Sequence, residues 1–468
     1  MSSKLFRTFG FCCIAFSLIA GDVSLRAEVA KEAAKFRDGD RVCFIGDSIT
    51  HGGGFGYHSQ IVLFYATRFP QMRIGYWNCG ISGDSAAGAI KRYAWDIAPH
   101  KPTVATIMLG MNDVSRGLYA METSGSKIEA QRQGAIENHV ANMADLAELL
   151  AKDGAKLIFI TPSIYDQTGT QKTENLFGVN FALGTCGYEA RKLASKYTAG
   201  VAEFHLLLSR LNAVGQAKDP NYTIIGPDRV HPGASGHLVM AYAFLKAQGM
   251  GHCVSLVEIN ATKKELSKKE NCSVENLQFK DTAISFDCLE KALPFPVENG
   301  AKPALDIIPF TQDLNQELLK VNGLNAGDYE LLIDGQSVLK RSADEFKQGV
   351  NLATVAETPQ YKQAMQVLSD LKTRADIYSS KLRTFAAVRL FILSKLKDRS
   401  PEAEKKALEE SLEKSKKTNF TYGVMQVQSY MKYAPDEAKF QKTADDLLKK
   451  AYSENQPKSH RYELRRVQ

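Results

Sequence analysis

Apolar runs and helical stretches alternate along residues 38–250, and this pattern restricts the fold more than any other feature of the chain. The runs "RVCFIG", "RIGYWNCG", "VATIMLG" and "KLIFITP" are largely apolar, as strands buried on both faces of a parallel sheet are. Helical segments such as "IENHVANMADLAELLAKDG" lie between them. The pattern therefore predicts an α/β domain with a parallel central sheet.

The alternation stops after residue 250. Residues 253–350 contain short strand-like runs and an Asp334-Gly335 hairpin signal, which predict a small mixed region with strands. Residues 355–468 have a mainly helical, lysine-rich pattern. The sequence leaves open whether these two regions complete the wall of an active site or pack on the back of the sheet.

The first residues have the pattern of an export signal. Lys4 and Arg7 precede the apolar stretch "FGFCCIAFSLIAG", and Ala27 offers a small residue for cleavage. The apolar stretch is too short to span a bilayer, although an uncleaved anchor is the alternative. We therefore expect residues 1–27 to be a signal peptide and the mature protein, without a membrane span, to be periplasmic or secreted.

Charge and cysteine usage exclude some classes of function. The net charge of +7 is modest for 468 residues, so we expect no nucleic acid partner. Cys43 and Cys79 fall in predicted buried strands, whereas Cys253, Cys272 and Cys288 lie close enough in sequence for a bridge in an exported protein. No Cys-x-x-Cys or Cys/His spacing is present, so we expect no metal.

The stretch "FIGDSITHGGGFG" places a glycine-rich loop directly after a predicted strand. A phosphate-binding loop would need a lysine after its glycines, and a dinucleotide-binding loop would need G-x-G-x-x-G; neither is present. Ser48 instead falls at the carboxyl edge of the sheet, where α/β domains place their chemistry. The glycines leave space around its hydroxyl, which makes Ser48 a candidate nucleophile.

A serine nucleophile needs a base, and the base needs a group that orients it. The turn "GPDRVHPGASGH" supplies Asp228 and His231, three residues apart. A tetrahedral intermediate also needs hydrogen-bond donors for its oxyanion. Gly83 in "GISGD" offers a backbone N–H, Asn112 in "LGMND" offers a side-chain amide, and the N–H of Ser48 would be the third donor.

The blocks "FIGDSIT", "NCGISGDS", "LGMND" and "DRVHP" follow one another in this order. With them, residues 36–250 resemble the SGNH (GDSL) hydrolase family, in an exported bacterial type with an added C-terminal module. The resemblance implies a flavodoxin-like three-layer α/β/α sandwich with a parallel sheet. It also implies catalysis by Ser48, His231 and Asp228, an oxyanion hole of Ser48, Gly83 and Asn112, and no cofactor.

Four segments are therefore expected: a signal peptide over residues 1–27, an SGNH hydrolase domain over 36–250, a mixed region over 253–350 and a helical region over 355–468. The activity implied by the resemblance is hydrolysis of carboxylic esters. The open, glycine-rich loop favours a short acyl group such as acetyl on a large polar carrier. The expected substrate is thus a small ester or an acylated polysaccharide.

Two other readings of the function stay open. One is lysophospholipase, lipase-type or thioesterase activity on lipid esters. The other is a catalytically inactive glycan-binding or envelope scaffold protein, which the intact set of site residues argues against. The sequence does not fix the oligomeric state.

Some residues near the nucleophile are candidates for substrate contact. His51, Tyr57 and His58 follow Ser48 closely in the sequence and are interpreted as possible residues of the substrate pocket. His237, on the helix after the His231 turn, is expected in the core or on the surface instead.

Overall fold

The computed structural model describes residues 31–467, so the predicted signal peptide lies outside the described residues. Five parallel strands form the central sheet in the order β2-β1-β3-β4-β5. The strands are β1 (Arg41–Gly46), β2 (Gly75–Gly80), β3 (Val104–Met108), β4 (Lys156–Ile160) and β5 (Gly200–Ala202). This is the flavodoxin-like strand order, and it confirms the predicted fold class.

Helices cover both faces of the central sheet. They are α1 (Ser48–His51), α2 (Tyr57–Arg68), α3 (Ala86–Arg92), α4 (Ser126–Lys152), α5 (Val179–Lys196), α6 (Phe204–Gln216) and α7 (Ala234–Ala247). Val42 and Phe44 of β1 pack with α2, α6 and α7, whereas Cys43 and Ile45 pack with α3, α4 and α5. Because both faces are covered, every β1 residue after Arg41 is buried, which explains the continuous apolar run.

Two further sheets follow the sandwich, with strand orders β13-β10-β6-β7 and β12-β11-β14-β9-β8. Their elements are β6 (Cys253–Asn260), β7 (Glu265–Glu270), β8 (Cys272–Lys280), β9 (Ala283–Glu290), α8 (Phe310–Leu314), β10 (Gln316–Asn322), β11 (Asp328–Ile333), β12 (Gln336–Ser342), α9 (Ala343–Gln348), β13 (Val350–Asn351) and, far along the chain, β14 (Ser459–Arg466). Apolar side chains of both sheets form one buried cluster, in which the rings of Phe286 and Tyr462 stack at 4.9 Å.

Strand β14 departs from the helical region expected over residues 355–468. It pairs antiparallel with β9 on one side and β11 on the other. Its sequence "SHRYELRR" alternates buried and less buried positions, with Tyr462 and Leu464 pointing inward. Because the other positions of this segment are mostly charged, its composition does not reveal the two-residue periodicity of a strand.

No disulfide forms among the described cysteines, so the bridge considered for Cys253, Cys272 and Cys288 is absent from the structure. Cys272 and Cys288 lie on the adjacent strands β8 and β9. The Cys272 Sγ donates to the carbonyl of Leu256 at 3.4 Å.

The helical region covers the edge of the central sheet. Its helices are α10 (Pro359–Ile377), α11 (Arg383–Phe391), α12 (Pro401–Lys417), α13 (Thr421–Tyr433) and α14 (Glu437–Glu454). Strand β2 is an edge strand, and its unpaired carbonyls would otherwise face solvent. The Tyr452 hydroxyl donates to the carbonyl of Ile74 at 2.8 Å, just before β2, and Arg383 Nε donates to Gly80 O at 2.9 Å. Between residues 31 and 467, no helix is long and apolar enough to cross a membrane.

A buried chain of charges joins α11 to the central sandwich. Arg383 donates to both carboxylate oxygens of Asp96, at 2.8 and 2.7 Å, and Asp96 also pairs with Arg92. Arg92 Nε then reaches Asp84 at 2.8 Å. Burial alone would raise the pKa of Asp96, but Arg383 and Arg92 outweigh it and hold this pKa well below its usual range. Asp96 is therefore ionised and forms ion pairs with both arginines.

Replacing Arg383 with methionine should destabilise the protein strongly. The Arg383→Met variant leaves Asp96 with one partner and Gly80 O without its donor, which should cost about 3 kcal/mol or more of unfolding free energy. Urea unfolding followed by circular dichroism measures this. As a control, Lys405→Met at a side chain that is 73% exposed should shift stability by no more than about 0.5 kcal/mol. Equal effects of the two substitutions would refute the structural role of the charge chain.

Candidate active site

The four sequence blocks meet at the carboxyl edge of the central sheet. Ser48 is the first residue of α1, directly after β1. Gly83 follows β2, Asn112 follows β3, and the turn with His231 precedes α7. The end of β2 must approach α1 closely, because a Cβ added at Gly80 would lie 2.2 Å from the backbone nitrogen of His51. A glycine at this position therefore lets Ser48 reach the sheet edge.

The nucleophile and base candidates are in hydrogen-bond contact. The Ser48 Oγ lies 2.8 Å from His231 Nε2, and His231 Nδ1 lies 2.5 Å from Asp228 Oδ2. The second oxygen of Asp228 accepts the backbone N–H groups of Val230 at 3.1 Å and His231 at 3.0 Å. Burial raises the pKa of Asp228, but its hydrogen bonds to His231 and the turn outweigh this and hold the pKa well below its usual range. Asp228 is thus ionised at neutral pH and can orient the imidazole.

Arg229 fixes the turn that carries this pair, and sequence reasoning did not identify it. Its backbone φ is +66°, in the left-handed region, and its side chain is buried at 3% exposure. The guanidinium donates to the carbonyls of Asp166 at 2.7 Å, Gly169 at 2.9 Å and Gln171 at 2.7 Å. These contacts tie the His231 turn to the loop after β4. The only signal in the sequence is the arginine inside "DRVHP".

The expected oxyanion donors line the same cleft as Ser48 and His231. Gly83 has a φ of +84°, a conformation that glycine adopts without strain. Among residues 31–467, the N–H groups of Ser48 and Gly83 donate to no other protein atom. Asn112 Nδ2 donates one hydrogen to the carbonyl of Asp84 at 2.8 Å, and an amide has a second hydrogen to give. The arrangement can therefore present three donors to an oxyanion.

The C-terminal regions complete the wall of the cleft, which answers the question that the sequence left open. The cleft has a volume of about 750 Å³ and opens to solvent. Lys372, paired with Glu298, and Tyr422 belong to its wall. The Tyr422 hydroxyl donates to Ser82 Oγ at 3.0 Å, next to the oxyanion candidate Gly83. These wall residues are far from the motifs in sequence, so no local pattern could reveal them.

Tyr57 and His58 do not line the cleft, so the pocket interpretation is wrong for both residues. Tyr57 is fully buried, with its hydroxyl 3.0 Å from Thr50 Oγ1. His58 is 5% exposed and packs edge-on against Phe44, and burial lowers its pKa to about 3. Both residues start α2, and the first turn of this helix points into the core rather than along the cleft.

His51 bridges the loop after β2 and the C-terminal helices instead of facing the cleft. Its Nδ1 accepts the N–H of Ser82 at 3.2 Å, so Nε2 carries the hydrogen and donates to Ser379 O at 2.9 Å. Burial lowers its pKa to about 4, which keeps the ring neutral and both hydrogen bonds intact at neutral pH. The residue lines a neighbouring cavity, not the cleft around Ser48.

His237 lies at the cleft although it was expected in the core or on the surface. Its ring accepts the N–H of Tyr57 at 3.2 Å through Nδ1. Burial lowers its pKa to about 4, so the ring adds no positive charge beside His231. Its position at i+6 from His231, on the helix that follows the turn, is the only hint in the sequence.

The Asp47→Asn variant should become more stable relative to the wild type as the pH rises. Burial raises the pKa of Asp47 from 3.8 to about 7, so between these values the native state binds a proton that the unfolded chain releases. The wild type therefore loses stability over this range, by about 1.4 kcal/mol per pKa unit. Asparagine cannot ionise but keeps an oxygen for the N–H of Ile49, which Asp47 Oδ1 accepts at 2.9 Å.

Urea unfolding of the wild type and Asp47→Asn at about pH 4 and about pH 8 checks this expectation. From about pH 4 to about pH 8, the unfolding free energy of the variant minus that of the wild type should rise by several kcal/mol, as the linkage relation requires. Asp281→Asn, at an exposed position, is the matched control and should show no such trend. A pH-independent difference for Asp47→Asn would contradict the expectation.

Comparison with known proteins agrees with this geometry. The GDSL-like Lipase/Acylhydrolase family model matches residues 42–244. A solved structure of a gut microbial diltiazem-metabolizing enzyme is 32% identical, with a TM-score of 0.83, and the match covers 93% of this chain and 100% of that one. An acetylxylan esterase of Geobacillus stearothermophilus is 27% identical over 232 residues, which are 46% of this chain and 96% of the relative. The chain is an ester hydrolase whose residues 42–244 form a domain of the GDSL-like lipase/acylhydrolase (SGNH) family.

Proposed function

We propose that this ester hydrolase is exported and removes short acyl groups, acetyl above all, from carbohydrate, with Ser48 as its nucleophile. The contact of Ser48 Oγ with His231 Nε2 at 2.8 Å, continued to Asp228 at 2.5 Å, carries the proposal. A protein that only held glycans would need neither contact. The pair lies in an open cleft that a large carrier can approach.

The reaction proceeds in two steps, acylation of Ser48 and hydrolysis of the acyl-enzyme. His231 takes the proton of Ser48 as the Oγ attacks the ester carbonyl, and Asp228 stabilises the imidazolium that forms. The oxyanion accepts hydrogen bonds from the N–H groups of Ser48 and Gly83 and from the Asn112 amide. His231 then gives its proton to the departing alcohol. Water repeats the attack on the acyl-enzyme with His231 again as base, which releases the acid and restores Ser48.

The composition of the cleft wall supports a short acyl group. Each methylene of an acyl chain gains about 0.8 kcal/mol only if apolar surface covers it. The large apolar side chains at this cleft, Ile49 and Phe55, are themselves buried, at 2% and 8% exposure. Glycines and polar residues such as Ser82 and Arg116 form much of the rest of the wall. A long chain would gain little here, whereas sugar hydroxyls would find partners.

One relative supports the choice of acetyl and of a glycan carrier. The acetylxylan esterase of Geobacillus stearothermophilus is named for an acetylated polysaccharide. The other compared protein is described by its action on diltiazem, a small molecule. An open cleft can accept an ester of a large polar carrier as well as a small-molecule ester. An assay with acetylated xylan and p-nitrophenyl esters compares the two kinds of substrate directly.

The wild type should hydrolyse p-nitrophenyl acetate with a higher kcat/KM than longer p-nitrophenyl esters, and it should release acetate from acetylated xylan. Ser48→Ala should abolish both activities, and Asp228→Asn should lower kcat by about 10³- to 10⁴-fold because the imidazole loses its orienting group. Ser195→Ala, at an exposed position on α5, is the matched control and should behave as the wild type.

Each other outcome of this assay has a definite meaning. A preference for long acyl chains would replace the carbohydrate proposal with activity on lipid esters. Folded wild-type protein that cleaves no ester would favour a glycan-binding scaffold over the esterase mechanism. Activity that persists in Ser48→Ala would refute the role of this serine.

The proposed export rests on Lys4, Arg7 and the apolar stretch that follows them. Expressed with its full N-terminus in a bacterium with an export pathway, the protein should accumulate outside the cytoplasm. Mass spectrometry of the purified protein should find Glu28 as its first residue, because cleavage is expected after Ala27. An intact N-terminus in the cytoplasmic fraction would refute export.

A further inference from the structure

A second cavity adjoins the catalytic cleft on the side of the C-terminal helices. It has a volume of about 620 Å³ and shares Gly52, Gly53, Gly54 and Tyr422 with the cleft. A Cβ added at Gly53 would meet no atom within 4 Å, so the space above this glycine is open. A carrier whose acyl group lies at Ser48 can therefore extend over the glycine run into the second cavity.

The second cavity presents uncompensated positive charge. The ammonium groups of Lys381 and Lys432 lie 4.0 and 4.8 Å from the ring centre of Tyr433, and all three residues line the cavity. The ring holds both ammonium groups in place by cation–π attraction without neutralising them. Within residues 31–467, neither lysine lies within salt-bridge distance of a carboxylate, and the cavity wall contains no acidic side chain. We name this space the lysine cavity.

The rest of the lysine cavity combines hydroxyl groups with the apolar surfaces of Val424 and Met425, and a sugar ring can contact both kinds of surface. Serine and threonine side chains form part of the wall, and the Oγ of Ser429 is buried without a hydrogen-bond partner in the described chain. Ser380 and Thr421 add further hydroxyl groups, and Tyr422 contributes an aromatic ring at the boundary with the cleft. Hydroxyl groups of this kind pair with sugar hydroxyls, and a carboxylate would complement the two ammonium groups.

We propose that the lysine cavity binds the carboxylate of a uronic acid substituent on the glycan whose acyl group lies at Ser48. The inference deepens the proposed function and rests on it for the identity of the carrier. The lysine cavity would then make the enzyme selective for acidic over neutral acylated glycans. Because the two ammonium groups are near the surface, this selectivity should weaken as the salt concentration rises.

The test compares two substrates that differ only in charge. These are an acetylated xylo-oligosaccharide with a glucuronic acid substituent and its unsubstituted counterpart. The wild type should show a kcat/KM for the acidic substrate about tenfold above that for the neutral one at low salt. The double variant Lys381→Gln/Lys432→Gln should lose this preference. Lys439→Gln, an exposed lysine on α14 outside the cavity, is the matched control and should keep it.

A binding measurement separates this inference from the esterase proposal. Calorimetry with Ser48→Ala and the deacetylated acidic oligosaccharide should detect binding that Lys381→Gln/Lys432→Gln weakens about tenfold. If binding depends on the lysines while the wild type cleaves no acetylated glycan, the proposed deacetylation of glycans fails and the lysine cavity stands. If the wild type cleaves acidic and neutral substrates equally well, or the double variant keeps the wild-type preference, the inference is refuted.

Discussion

The charge chain from Arg383 through Asp96 and Arg92 to Asp84 is the interaction on which the architecture of this esterase depends. Its members are buried, so removal of any one would take an ion-pair partner from a charge in a low-dielectric environment. The carbonyl of Asp84 accepts the amide of Asn112, and Arg383 also holds the carbonyl at the end of β2. A residue of the C-terminal region therefore positions the end of β2, from which the loop with Gly83 begins.

The active site consequently belongs to the whole chain rather than to the α/β sandwich alone. His51 is hydrogen-bonded to Ser82 in the loop after β2 and to Ser379 in the C-terminal region. Tyr422 forms a further contact, also to Ser82. Ser48, His231 and Asp228 come from the sandwich, whereas part of the cleft wall comes from helices beyond residues 42–244, which the family model matches. This division lets substrate preference change without disturbance of the reacting groups.

The central fold and the meeting of Ser48, His231 and Asp228 could be predicted from the sequence because both depend on local patterns. Buried parallel strands leave continuous apolar runs, and Ser48 and Asn112 each follow such a strand. His231 lies instead in the turn before α7, where the motif "DRVHP" marks it. The wall residue Tyr422 could not be predicted, since its contact with Ser82 joins positions 340 residues apart. Tyr57 was misassigned because proximity in sequence to Ser48 does not show which way the first turn of α2 faces.

The covering of β2 by the C-terminal helices also constrains how the protein folds. The Tyr452 hydroxyl reaches the carbonyl of Ile74 across 378 residues of chain, and β14 inserts between two strands formed much earlier in the sequence. Contacts of such long separation form late, since loop closure must precede them. Until the C-terminal helices pack against β2, the sandwich keeps an open edge and the cleft lacks the part of its wall that Lys372 and Tyr422 form. Docking of these helices therefore separates in time the synthesis of Ser48 from the assembly of the full cleft wall.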